Sequence, residues 1–268
     1  MLKKHVRQRV NFTDEWLIDK SIKFIQENEP EEGYYLGFSG GKDSIVLYDI
    51  VKKSKVKFTA YYSATGIDPP IIVKFIKKNY PEVIFIKPKV NFYSGIIKNG
   101  LPTIYKRWCC KSLKHTPLSV VNLKHRLMGI RSEESTKRKK RGKVNPHDKQ
   151  IIYSPLFEWS EYNIWNYIEK NNLIYPSLYD EGLNRIGCVI CPFINYKQKM
   201  INKELYPGIY RAFEKKAFEL YVEKDKTACA GETFEEWLNY WYHHNYFKVN
   251  TLEIKDAEKD KNKRLSKS

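Results

Sequence analysis

One short stretch constrains this chain more than any other. Ser39-Gly40-Gly41-Lys42-Asp43-Ser44 lies between an apolar run, 34–38, and a run, 42–53, in which Ile45, Leu47, Tyr48 and Val51 are apolar. A short apolar run closed by a glycine-rich turn reads as a buried strand, and the spacing behind it reads as a helix. Glycines at such a turn let backbone N–H groups converge on one anion, and the helix dipole adds a favourable potential. Lys42 adds a fixed positive charge. A Walker A loop has four residues between its glycines and Ser or Thr after its Lys. Here Gly37 and Gly41 enclose three residues and Asp43 follows Lys42. The stretch is not G-x-G-x-x-G either, so neither a Walker NTPase nor a Rossmann dehydrogenase is supported. A glycine-rich turn without a ligand is the plainer reading. Against it, all six residues fall at the place where a doubly wound sheet binds nucleotides.

The alternation continues along the chain. Runs 57–63, 83–86, 126–130 and 151–154 read as further strands, and 69–78, 92–98 and 110–124 as helices, the first of these opening on Pro. Strands alternating with helices imply crossovers and a parallel sheet covered on both faces. The expected fold is therefore α/β, a doubly wound and mostly parallel sheet of five strands with a helical C-terminal region. Leu17, Ser21, Phe24 and Ile25 mark a helix within residues 1–30, with Thr13 or Asp14 as its N-cap. From about residue 160 the pattern turns helical, with Trp165 and Ile168 on one face and further helices at 214–222 and 234–242. Trp237 and Trp241 sit in the last of these, where helical spacing reads as core. The expected organisation is a helical segment 1–30, a nucleotide-binding domain 31–195, a helical region 196–250 and a charged tail 251–268.

Further segments carry a resemblance. Ser39 to Ser44 resembles the PP-loop of the ATP pyrophosphatase superfamily, whose members act at the α-phosphate of an adenine nucleotide. Thr65-Gly66-Ile67-Asp68-Pro69 follows the second strand and resembles the segment beside the nucleotide in the phosphoadenosine phosphosulfate (PAPS) reductase-like branch, with Ala64 in place of that family's Asp. Gly129-Ile130-Arg131-Ser132-Glu133-Glu134-Ser135 follows the fourth strand and is similar to the same branch's Gly-x-Arg-x-x-x-Ser segment. The resemblance implies an adenine nucleotide α-hydrolase-like fold over about residues 30–195. It implies nucleotide contacts from Ser39, Gly40, Gly41, Lys42, Asp43, Ser44, Thr65, Gly66, Arg131 and Ser135. Lys42, Asp43, Lys114 and Arg131 are the implied catalytic set, with Lys42 and Arg131 on phosphates.

Of five cysteines, four fall in two tight pairs, Cys109-Cys110 and Cys188-x-x-Cys191. Without an export signal such pairs read as a metal or iron–sulfur site rather than disulfides. Thiolate-only ligation admits Zn²⁺ or Fe–S, and unligated core thiols are a third reading. The segment 107–118 resembles the cluster segment of adenylyl sulfate (APS) reductases, Lys114 matching that family's Lys and Leu113 standing where it has Arg. The resemblance implies that Cys109, Cys110, Cys188 and Cys191 jointly hold a [4Fe–4S] cluster with Lys114 between cluster and substrate. The adjacent Cys-Cys pair, uncommon in zinc sites, points the same way. Those reductases carry a nucleophilic Cys in a C-terminal Glu-Cys-Gly-x-His-type tail. This sequence ends Lys-Arg-Leu-Ser-Lys-Ser, and the spare Cys229 lies in a context unlike that tail.

The formal charge is +17, more than a small nucleotide requires. Nucleic acid rewards such an excess through phosphate neutralisation. The densest run, 137–143, has six basic residues in seven and is expected on a loop directly after the Arg131 segment. The absence of an 18-residue apolar run and of an apolar leader core at the N-terminus argues against membrane and secreted classes and for a cytoplasmic protein. The expected activity is transfer of AMP from Mg²⁺-ATP to a target, which sulfur then enters, as in DNA phosphorothioation or tRNA thiolation. The expected partners are an adenine nucleotide, nucleic acid and a cysteine desulfurase or other sulfur donor, with no membrane; a homodimer is compatible with this. Two alternatives stand beside it: an APS or PAPS reductase releasing sulfite, and a nucleotide-sensing nucleic-acid-binding protein without turnover.

Overall fold

The computed structural model describes residues 13–116, 121–147, 149–223 and 233–244. Two compact units result. One comprises Met1–Asn91 with Cys110–Cys188, the other Phe92–Cys109 with Val189–Ser268.

The first unit is built on one six-stranded sheet. Helix α1 (Thr13–Glu27) precedes β1 (Tyr34–Gly37), α2 (Lys42–Lys53), β2 (Phe58–Ser63), α3 (Pro70–Asn79) and β3 (Ile84–Ile86). Tyr34, Tyr35 and Leu36 are wholly buried, as a central strand covered on both faces requires. α2 starts on Gly41, carries Asp43 in its first turn and Lys52 and Lys53 in its last, and so matches its own dipole. Its buried face packs on α1 and on a later helix, α7 (Glu161–Lys170). β4 (His125–Leu127) and β6 (Gln150–Tyr153) complete the parallel part. The order is β3-β2-β1-β4-β6-β5, with β1 pairing β2 and β4 in parallel.

Three local features depart from the sequence expectation. A sixth strand, β5 (Val144–His147), pairs antiparallel with β6 at the sheet edge. Asn145 and Pro146 conceal it in the sequence, and an edge is where a strand tolerates Pro. The basic run expected on a loop is mostly a helix, α6 (Thr136–Arg141), because Lys and Arg are good helix formers and Ser135 caps it. The helix expected over 110–124 is instead a short turn, α5 (Trp108–Cys110), followed by a π-helical turn, Lys111–His115; residues 117–120 lie outside the description.

The second unit is helical: α4 (Phe92–Asn99), α8 (Tyr196–Leu205), α9 (Pro207–Glu223) and α10 (Phe234–His244). Phe213 lies between Phe92 and Trp241, at ring separations of 6.4 and 4.9 Å. The Trp241 indole N–H donates to the Pro102 carbonyl at 2.7 Å. α8 has no clear apolar periodicity because one of its core residues is a lysine. Lys199 is fully buried, donates to the Trp241 and Tyr242 carbonyls at the end of α10, and has its pKa pulled down to about 8 by burial. Among the described residues no helix is long and apolar enough to cross a membrane. Cys229 and the expected tail 251–268 lie outside the described residues.

Candidate nucleotide-binding site

Strand order sets the site. β1, β2 and β3 step outward to one side, and β4 then takes the other side of β1. The crevice lies at the carboxyl ends of β1 and β4, where open α/β sheets bind ligands. The segments leaving β1, β2 and β4 at those ends contain the residues singled out in the sequence: 38–44, 64–68 and 128–135.

The first segment is tied together by Ser44. Its hydroxyl accepts from the Ser39 N–H at 3.2 Å and the Ser39 hydroxyl at 3.1 Å, and donates to the Gly41 carbonyl at 2.8 Å. Gly40 has φ +72°, and a Cβ there would stand 2.9 Å from an Ile76 side-chain carbon, so both backbone and packing require glycine. Lys42 is buried. Its backbone N–H donates to the Tyr179 hydroxyl at 3.0 Å and its Nζ to the Asn184 carbonyl at 3.1 Å. The Asp43 and Glu161 carboxylates stand 3.7 and 3.6 Å from Nζ. Burial pushes the Tyr179 hydroxyl up to about 12, so it stays a neutral partner at physiological pH.

The segment after β4 meets this loop directly. A Cβ on Gly129 would lie 3.1 Å from the Asp43 carbonyl. The buried Arg131 donates through Nε to Asp43 at 2.6 Å and through Nη1 to Glu133 at 3.0 Å. Ser135 serves as the cap of α6, its hydroxyl accepting from the Arg138 N–H at 3.2 Å. Arg138 turns back toward the site. It pairs with Glu134, and burial, together with Arg185 and Arg141, lowers its pKa while Asp43 opposes this.

The segment after β2 forms a second group. One Asp68 oxygen accepts from the Tyr62 hydroxyl at 2.7 Å and from the Thr65 N–H and hydroxyl at 3.1 and 2.7 Å. The Cys188 thiol approaches the other at 3.7 Å. Gly66 has φ +80°, a turn position suited to glycine. Lys114 joins Asp68 and Cys188. Burial pulls its pKa down, but Cys188, Asp68 and Cys110 more than offset this and hold it above its ordinary value.

The structure thus brings Lys42, Asp43, Arg131, Ser39, Gly40, Gly41 and Ser44 into one loop cluster, and Thr65, Lys114, Cys110 and Cys188 into another. In the second unit Cys191 interacts with Lys199. Cys109, Cys110, Cys188 and Cys191 form no disulfide with one another. Among the described residues no group of three or more His, Cys, Asp or Glu side chains is arranged as a metal site. Sequence reasoning passed over Asp68 as a hub, although its place three residues after Thr65 signals a side chain bonding its own turn. It had no signal for Tyr179 or Asn184, which reach Lys42 across 137 and 142 residues.

Residues 33–193 match the phosphoadenosine phosphosulfate reductase domain. The chain belongs to this family. A Methanocaldococcus jannaschii protein of uncharacterised function is 33% identical over 184 residues, 65% of this chain and 44% of its own length. The adenosine 5'-phosphosulfate reductase of Lysinibacillus sphaericus is 26% identical over 196 residues, 68% of this chain and 84% of the reductase. The chain spans less than half of the M. jannaschii protein. Among solved structures, the PAPS reductase of Candida auris in its phosphate complex aligns at a TM-score of 0.50 with 17% identity, over 68% of this chain and 97% of that one. The FMN adenylyltransferase of Candida glabrata, in complex with FAD and inorganic pyrophosphate, aligns at 0.50 with 14% identity, over 69% and 67%. The structural likenesses agree with the fold derived above: a PP-loop, mostly parallel α/β domain of the adenine nucleotide α-hydrolase type.

Proposed function

We propose that this PAPS reductase family protein is an ATP pyrophosphatase that activates nucleic acid for sulfur insertion. An acceptor oxygen attacks the α-phosphorus of ATP, the bond to the β-phosphate oxygen breaks, and pyrophosphate leaves with that electron pair. The terminal sulfur of a persulfide on a cysteine desulfurase or another donor then attacks the activated acceptor, AMP leaves with the acceptor oxygen and the electron pair of the bond that held it, and a thiol reductant splits the remaining S–S bond.

One observation carries the reading. The Lys42 N–H and Nζ are directed at two neutral oxygens, those of Tyr179 and Asn184, beside the Arg131–Asp43 pair. Phosphate oxygens are acceptors of the same geometry with more charge, so an α-phosphate can take their place and gain charge-assisted bonds. Lys42 and Arg131 then stabilise the charge that builds on the reacting phosphorus, and Asp43 keeps the Arg131 guanidinium aimed. Mg²⁺, when bound with ATP, neutralises the remaining phosphate charge.

The two all-cysteine pairs, Cys109-Cys110 and Cys188-x-x-Cys191, have the ligand chemistry of a [4Fe–4S] cluster, and Lys114 lies beside Cys110 and Cys188. Such a cluster supplies electrostatic polarisation or transient sulfur storage when bound. Lys114, beside Cys188 and Asp68, would supply positive charge between cluster and substrate. Protein purified without oxygen should contain about four irons per chain, and Cys188→Ser should lose most of them. Zinc in the metal analysis would replace the cluster by a structural metal.

The test of the activity is pyrophosphate release from ATP by oxygen-free protein, with and without DNA or RNA. Release that rises with nucleic acid supports the proposal. Binding of ATP without release under any condition overturns it in favour of a sensor. Sulfite formed from APS or PAPS would establish the second reading, sulfonucleotide reduction, which the similarity to the Lysinibacillus reductase favours.

A further inference from the structure

Arg138 is half-buried on α6, where the other cations are exposed, and pairs with Glu134; the charge of Arg185 reaches it. Arg185 is placed by its neighbour, because the Asn184 carbonyl is fastened to Lys42 at 3.1 Å. Arg131 and Arg138 are each matched by carboxylates, namely Asp43 and Glu133 for the first and Glu134 for the second. Arg185 has no ion pair among the described residues. The same is true of Lys137, Lys139, Lys140 and Arg141 on the outer surface of α6, all of them exposed. The cations therefore continue from the loop to the solvent-facing side of a helix, well past what one nucleotide's phosphates can occupy. Arg185 and the outer cations of α6 have no such carboxylate, and like charges gathered in this way are destabilising unless an anion lies between them. A ligand that satisfies all of these positions carries phosphates at regular intervals along a chain.

We infer that Arg185, with Arg138 and the exposed cations of α6, forms a clamp for the phosphodiester backbone of a nucleic-acid strand, holding the acceptor beside the PP-loop. This rests on the proposed function and adds where the acceptor is held. Phosphate contacts position a strand without reading its bases. The clamp consequently accepts mixed sequences, and any base preference arises nearer the reacting atom.

The experiment uses the full chain and a short fluorescein-labelled oligonucleotide of mixed sequence, as DNA and as RNA, titrated by fluorescence anisotropy across a salt series. ATP affinity is measured in parallel by calorimetry. Arg185→Ala should weaken oligonucleotide binding about tenfold, the cost of one charge-assisted contact. The slope of log affinity against log salt should flatten by about 0.7–0.9. Arg185→Lys should restore much of the binding. Combining Lys137→Ala, Lys140→Ala and Arg141→Ala should flatten the slope by about 2–3. ATP affinity should stay at the wild-type value in all of these variants. Loss of ATP affinity with oligonucleotide binding intact would overturn the clamp and give Arg185 to the nucleotide. Wild-type protein that binds no oligonucleotide at low salt would also overturn it. Pyrophosphate release from ATP alone tests the adenylation reading independently of either result.

Discussion

Lys42→Ala should lower pyrophosphate release from ATP by about two to three orders of magnitude, the usual cost of removing one donor aimed at developing charge. The protein should remain folded. Asp43, which loses one neighbour, keeps Arg131 at 2.6 Å, and Glu161 is half exposed and can be hydrated. The backbone N–H of residue 42 survives the substitution, so ATP should still bind, more weakly. The effect should therefore fall on turnover more than on far-UV circular dichroism or thermal midpoint. Steady-state pyrophosphate release at saturating ATP, alongside a thermal melt, checks both halves. Turnover near the wild-type rate would mean that Lys42 does not touch the reacting phosphates, and the proposed function would fall with it.

Trp241→Ala should be the most destabilising single change in the second unit, at about 3–5 kcal/mol. The ring is fully buried, packs on Phe213 at 4.9 Å and donates to the Pro102 carbonyl at 2.7 Å. It also lies 4.3 Å from the Lys199 Nζ, so truncation takes away part of what shelters a buried cation. Trp241→Phe keeps the ring contact and drops the hydrogen bond, and should cost about 1–3 kcal/mol for the orphaned carbonyl and lost volume. Urea unfolding followed by circular dichroism ranks the two. Equal midpoints for alanine and wild type would show that α10 contributes little to this core.

The basic run 137–143 is conspicuous as charge and is expected on a loop, yet five of its seven residues lie in the helix Thr136–Arg141. Charge density says nothing about backbone state, whereas the Ser135 cap and the helix propensity of Lys and Arg do. β5 escaped for the opposite reason: Pro146 reads as a breaker, and only the free edge of the sheet makes it acceptable. The PP-loop, in contrast, was legible residue by residue, because a strand-to-helix turn with glycine at φ +72° is specified within a few positions.

By itself the sequence determined the alternation of strands and helices, the glycine-rich PP-loop between β1 and α2, the segment after β4 and the pairing of the four cysteines into two short motifs. Each of these depends on periodicity or turn chemistry acting over a handful of residues. Only the tertiary structure decided that β4 lies beside β1, that Tyr179 and Asn184 close on Lys42, and that the Cys188 thiol meets Asp68. Those contacts join positions as much as 142 residues apart. They follow from strand order and from which buried polar groups find partners, and no local pattern carries that information.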